Sequence, residues 1–226
     1  MADAPLPRAI LFDMDGTLID TFRLYVESFR RALAPYLGHT PTDEEMLAHG
    51  PGSERSFFTR WLGEEQGLRC HADFTRHYEE LHGALHEGIY DGVREMLAAL
   101  RAAGYPLGVV TGKGRRAWEV TEREMDLGAF DVVVTDDDVA APKPDPDGLV
   151  AAARTLELPP GEIVYVGDSA TDVQAGRAAG MRTAAVLWPK TAAGEAERFV
   201  NTITPLAPDW VFARPAELTQ AFARWC

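Results

Sequence analysis

Four short stretches hold most of the residues able to do chemistry. LFDMDGTLID (11–20) places Asp13 and Asp15 two positions apart after an apolar run, VVTGKG (109–114) offers Thr111 and Gly112, APKPDP (141–146) offers Lys143, and VGDSATD (166–172) offers Asp168 and Asp172. Carboxylates gathered in one place stay ionised only if a cation or shared protons neutralise them. Oxygen ligands without histidine or cysteine favour magnesium over zinc. One carboxylate is then free to attack an electrophile, as in aspartyl-phosphate enzymes. Magnesium and a lysine would stabilise the charge on a transferring phosphoryl group. Gly16 permits a close backbone approach, and Thr17 could donate to an oxyanion.

These residues are far apart in sequence, so a scaffold must bring them together. Near-continuous apolar runs at 8–12, 106–111, 131–135, 162–167 and 182–188 read as strands covered on both faces of a parallel sheet. Helical patterns lie between them, at about 93–100 with Asp91 as its cap, and at 117–127, 149–156 and 173–179. A last strand and helix fit 209–213 and 215–225. This alternation predicts an α/β fold with a Rossmann-like parallel sheet and helices on both faces. In such sheets ligands gather beyond the carboxyl ends of the strands, where Asp13, Asp15, Thr111, Lys143, Asp168 and Asp172 all fall. Residues 20–87 break the rhythm with no convincing strand and helical stretches near 20–36, 43–48, 54–62 and 70–86. An all-helical insertion after the first strand accounts for them.

At 226 residues the chain can bury one sizeable core and a second small one. Its 35 acidic against 22 basic residues give a formal charge of −13, which argues against binding nucleic acid or an anionic membrane. Only three of the basic residues are lysines: Lys113, Lys143 and Lys190. Cys70 and Cys226 suggest neither a disulfide framework nor a zinc cluster, and no run approaches a membrane span, so a cytoplasmic protein is expected.

The four stretches, in this order, resemble the motifs of the haloacid dehalogenase-like hydrolases, in the branch of magnesium-dependent phosphatases with a helical cap after the first strand. The likeness runs over essentially the whole chain. It implies a catalytic core of 1–19 and 88–226 and a cap of 20–87. It makes Asp13 the nucleophile and Asp15 the acid/base. Thr111 and the N–H groups after it, with Gly112 where the family frequently has Asn, would hold phosphate. Lys143 would pair with Asp13 and the phosphoryl oxygens. Asp13, Asp15 and Asp168 would hold Mg2+, with Asp172 a ligand or the partner of one.

Other residues read more plainly. Lys113 is expected at the mouth of the site, Asp136 to Asp138 as a polar loop, and Leu24, Phe29 and Phe57 in the cap core. The six histidines, His82 and His86 among them, are expected as solvated helix residues. In the cap, GPGSERSF (50–57) with Ser53 and Arg55 is the expected selecting loop, with Arg23 a second candidate near the hinge. The implied substrate is a small phosphorylated metabolite, phosphoglycolate-like, handled by a monomer or homodimer. Inorganic pyrophosphate is the alternative. A mutase is disfavoured because the cap has no lysine, and a dehalogenase because the metal motif would have no purpose. A non-enzymatic phosphate-binding protein would be expected to lack a catalytic aspartate, and none is missing. A receiver-like domain fits neither the long insertion nor the paired aspartates.

Overall fold

The computed structural model describes residues 6–49 and 53–222. In chain order the strands are β1 (Ala9–Phe12), β2 (Ile19–Asp20), β3 (Gly88–Ile89), β4 (Leu107–Val110), β5 (Val132–Val134), β6 (Ile163–Gly167), β7 (Arg182–Val186) and β8 (Trp210–Phe212). The helices are α1 (Phe22–Leu37), α2 (Asp43–Ala48), α3 (Glu54–Leu62), α4 (Glu64–Leu85), α5 (Val93–Ala102), α6 (Arg115–Glu124), α7 (Asp147–Thr155), α8 (Ala170–Ala178), α9 (Glu195–Ile203) and α10 (Pro215–Phe222).

Six of the described strands form one sheet in the order β5-β4-β1-β6-β7-β8, and every neighbouring pair is parallel. The chain winds outward from β1 through β4 to β5, then returns to β6 and winds the other way. Crevices form where the direction reverses, here around the end of β1. Register aligns the strand ends, with Phe12 opposite both Val109 and Val166.

Successive side chains of a strand point to opposite faces, and β1 feeds two cores in this way. Ile10 and Phe12 pack with Val93, Met96, Leu97 and Leu100 of α5 and Leu218 and Phe222 of α10. Ala9 and Leu11 pack on the other face with Leu149, Ala152 and Ala153 of α7 and Ala175 of α8. This is the expected α/β core with helices on both faces. Gly92, at φ +82°, is the N-cap of α5 in place of the expected Asp91, which makes no capping bond; the left-handed turn is one a glycine adopts without strain.

Between β2 and β3 the regular elements among the described residues are all helices, as anticipated, but the two short strands pair antiparallel and make a ribbon at the base of the insertion. The insertion has its own apolar centre, in which Leu24, Phe57, Phe58, Cys70, Phe74 and Tyr78 are buried and Phe29 is partly buried. The Phe29 and Phe74 rings stack at 4.7 Å. Ala117 and Val120 of α6 join this cluster, so a core helix is the floor on which the insertion rests.

The inward face of α4 recurs every four residues through Cys70, Phe74, Tyr78 and His82. His82 therefore continues a buried stripe instead of facing water, correcting the expectation of a solvated histidine. Its ring nitrogens have no hydrogen-bond partner among the described residues, and burial, with repulsion from His86 and Lys113, pulls its pKa down to about 4. Removing the ring at the centre of this cluster leaves a cavity. Phe74→Ala is expected to cost about 3–5 kcal/mol, measured by urea unfolding.

Candidate active site

The ends of β1, β4 and β6 surround one cavity of about 270 Å³, lined by Asp13, Asp15, Thr111, Lys143 and Asp168 from the core and by Tyr25, Phe29, Ser53 and Glu54 from the helical insertion. The Asp13 N–H still bonds to Val166 O at 2.8 Å, which fixes its side chain one step beyond the sheet. Gly16 turns the chain at φ +81°, and a Cβ there would lie 2.7 Å from an Asp168 oxygen. Gly167 plays the matching part at the end of β6, since a Cβ would meet Asp172 at 2.4 Å. The aspartates thus approach because two glycines leave room.

Lys143 ties the carboxylates together. Its ammonium donates to Asp13 Oδ1 at 2.7 Å, to Asp172 Oδ1 at 2.7 Å and to the Tyr165 hydroxyl at 2.9 Å. Tyr165 in turn donates to Val110 O at 2.8 Å. Asp172 is oriented from its other oxygen by Ser169, the N-cap of α8, whose N–H donates at 3.0 Å and whose hydroxyl donates at 2.5 Å. Burial opposes the charge on Lys143, but Asp13 and Asp172 outweigh it and hold its pKa well above the ordinary value.

Oxygens of Asp13, Asp168 and Asp172 lie within 4.8 Å of one another. Burial pushes the Asp13 carboxyl up to about 8; Lys143 pulls it down, while Asp172 and Asp168 push it further up. Asp168 is raised too, chiefly by burial, with Lys190 opposing. Two lysines, Lys143 and Lys190, therefore do not neutralise three carboxylates, and an all-oxygen donor set short of positive charge fits a hard divalent cation.

The Asp15 carboxylate is not one of these three clustered carboxylates. Its Oδ1 accepts from Thr21 at 2.5 Å and pairs with Lys113 at 3.0 Å, on the side of the insertion. Lys113 is not a mouth residue. Its side chain is wholly buried, and it donates to the hydroxyls of Tyr25 at 2.9 Å and Tyr78 at 2.7 Å. Burial opposes its charge, yet Asp15 keeps its pKa above the ordinary lysine value. The third lysine, Lys190, pairs with Asp168 at 2.5 Å. All three lysines of the chain thus sit on site carboxylates, a pattern their scarcity hinted at.

Thr111 and Gly112 line the cavity as expected. Thr17 is fully buried and does not line it; its carbonyl accepts from Trp188 Nε1 at 2.8 Å. Ser53 caps α3 and lines the cavity, while residues 50–52 of the expected selecting loop lie outside the described residues. The Arg55 side chain is exposed. Arg23 is exposed and paired with Glu87 at 2.8 Å, and neither arginine lines the cavity. Asp136 is more than loop polarity: it is buried, and Ser53 and the Arg55 backbone of the insertion stabilise its charged form while burial raises its pKa. Sequence reasoning missed Glu54, which is buried, lines the cavity and accepts from Tyr25 at 2.6 Å.

A family model described as haloacid dehalogenase-like hydrolase matches residues 10–186. The pyrophosphatase PpaX of Bacillus velezensis is 36% identical over 212 residues, covering 93% of this chain and 94% of its own. CbbY from Rhodobacter sphaeroides, solved in complex with phosphate, has a TM-score of 0.78 at 25% identity, covering 94% of this chain and 96% of its own. A candidate phosphoglycolate phosphatase from Lactobacillus plantarum has the same fold, with a TM-score of 0.79 at 22% identity over 96% of this chain and all of its own. The chain belongs to the haloacid dehalogenase-like hydrolases. With the aspartate cluster of that family in place, it is an enzyme of their phosphatase type.

The raised Asp13 carboxyl makes a signed prediction. The folded, cation-free protein keeps this proton up to about pH 8, whereas the unfolded chain releases it near 3.8. Between those values the folded state binds more protons, so its stability falls as pH rises. A divalent cation must displace the proton, so its gain in Tm should be larger at about pH 8 than at about pH 5. Thermal melts with and without cation check this, and Asp13→Asn should flatten the difference.

Proposed function

We propose that the protein hydrolyses a small phosphomonoester with magnesium, through an aspartyl phosphate on Asp13. The observation that carries this reading is the Asp13–Lys143–Asp172 arrangement, with Asp168 completing an all-oxygen cluster at the cavity floor. Asp13, Asp168 and Asp172 would hold Mg2+, which when bound would neutralise the cluster and draw charge from the phosphoryl oxygens. Residues 1–19 and 88–226 form the catalytic unit in this reading, and 20–87 the cap.

The chain's own residues supply the rest. Lys143 holds Oδ1 of Asp13 and fixes the carboxylate's rotation. The backbone after Thr111 offers N–H donors to the phosphate. Asp13 attacks phosphorus, and the bond to the leaving oxygen breaks with its electron pair while Asp15 gives that oxygen a proton. Asp15 then takes a proton from water, whose oxygen attacks phosphorus and restores the Asp13 carboxylate. The insertion over the cavity excludes bulk water and limits the leaving group's size.

The resemblance favours a phosphoglycolate-like substrate, and the name of the 36% identical relative favours pyrophosphate. Both are small enough for the cavity. No lysine occurs in the insertion, which speaks against a mutase that must hold a second phosphate there. No helix among the described residues is long and apolar enough to cross a membrane. We place the enzyme in the cytoplasm on the strength of its composition and the free, buried thiol of Cys70.

Phosphate release from phosphoglycolate, pyrophosphate, sugar phosphates and nucleotides, with Mg2+ or EDTA, tests this reading. One substrate should stand out, EDTA should abolish its turnover, and Asp13→Asn should lower kcat by at least about 10³-fold. An Asp13→Asn enzyme with near wild-type turnover would sink the proposal.

A further inference from the structure

A buried ammonium is costly unless its donors and charge are all met. The proposed reaction already has Lys143 at the nucleophile, so a second wholly buried lysine calls for its own account. The Lys113 ammonium donates to Tyr25 OH at 2.9 Å and Tyr78 OH at 2.7 Å and forms an ion pair with Asp15 Oδ1 at 3.0 Å. It also lies 4.5 Å from the Tyr25 ring centroid and 4.4 Å from that of Tyr78, within range of cation–π attraction.

The direction of each hydrogen bond is fixed by its neighbours. Tyr25 donates to Glu54 at 2.6 Å. Thr121 donates to Ala117 O at 3.0 Å, so its 2.8 Å contact with Tyr78 has tyrosine as donor. Both hydroxyls are therefore oriented to accept from Lys113. At the other end, Thr21 and Lys113 converge on the same oxygen of Asp15, Oδ1. That leaves Oδ2 as the oxygen to carry a transferable proton.

Lys113 belongs to the core, just before α6, whereas Tyr25 and Tyr78 belong to α1 and α4 of the insertion. Moving the insertion away would strip the ammonium of both hydroxyl acceptors and both aromatic faces and leave it only its ion pair with Asp15. We propose that Lys113 is a positioning residue that orients Asp15 as general acid, and that its tyrosine cage makes this orientation depend on the insertion being closed. The proposal rests on the hydrolase reading above, in which Asp15 protonates the leaving group.

Leaving-group dependence separates this role from a structural one. p-Nitrophenolate departs without a proton, whereas an alkoxide needs one, and general-acid catalysis supplies about 10²–10⁴-fold. The test compares p-nitrophenyl phosphate with the alkyl phosphate that the Mg2+-loaded wild type turns over fastest. Lys113→Met should lower kcat on the alkyl ester by about 100-fold or more and on the aryl ester by less than about 10-fold, with KM little changed. A Tyr25→Phe, Tyr78→Phe double variant, which keeps the rings and removes the acceptors, should shift the alkyl-to-aryl ratio in the same direction. It also keeps the proposal testable if Lys113→Met does not fold. Equal losses on both esters in either folded variant would overturn the positioning role, and an unchanged ratio in the double variant would overturn the dependence on closure. Wild type inactive on both esters would instead refute the phosphomonoester reading, and the proposal with it.

Discussion

The site depends on one partly buried ammonium. Lys143 joins Asp13, Asp172 and Tyr165, so the carboxyl ends of β1 and β6 and the start of α8 meet at a single nitrogen. Deleting one member of a buried, hydrogen-bonded charge group typically costs about 3–5 kcal/mol, because the remaining charges are left uncompensated. Parallel register brings the ends of β1 and β6 level. Gly16 and Gly167 then allow the carboxylates to close up. Tyr165, whose ring is buried among the side chains of one core face, fastens the polar group to the apolar one.

The helical insertion is bound to the core by polar as well as apolar contacts. Glu54 N–H donates to Gly112 O at 3.3 Å, Ser53 and the Arg55 backbone favour the charge on Asp136, and α6 contributes to the insertion's apolar centre. These contacts meet beside Thr111 and Asp15. The wall that faces a leaving group is thus built partly on the loop that faces the phosphate, so a change in one moves the other.

Much of this was legible in the sequence. Strands covered on both faces are continuous apolar runs, and β1 and β4 to β8 follow them within a residue or two. Helices α2 and α3 match their expected bounds, because proline, glycine and serine punctuate that stretch. The ribbon of β2 and β3 was not legible, since two-residue strands carry no period, and α9 had no strong apolar run to mark it. The start of α4 at Glu64 rather than near 70 lay in a polar first turn, where periodicity says little.

At the site, residues tied to a local motif were read well, and those that depend on contacts across the chain were not. Asp13, Thr111, Lys143, Asp168 and Asp172 follow strands and converge as expected. Lys113 follows one as well, but its partners Tyr25 and Tyr78 lie 88 and 35 residues away, and no spacing rule links them. Glu54 was obscured because the first turn of a helix accepts an acid for ordinary electrostatic reasons. His82 was the avoidable miss, since its four-residue spacing from Tyr78 was visible in the sequence.

The most direct test of the central claim is an acid-quenched reaction of the Asp15→Asn enzyme with p-nitrophenyl phosphate, followed by peptide mapping. With water activation blocked, the account predicts a stoichiometric burst of p-nitrophenolate and a phosphoryl group on the peptide containing Asp13. Absence of both, in a folded variant whose wild type turns the ester over, would contradict nucleophilic attack by Asp13.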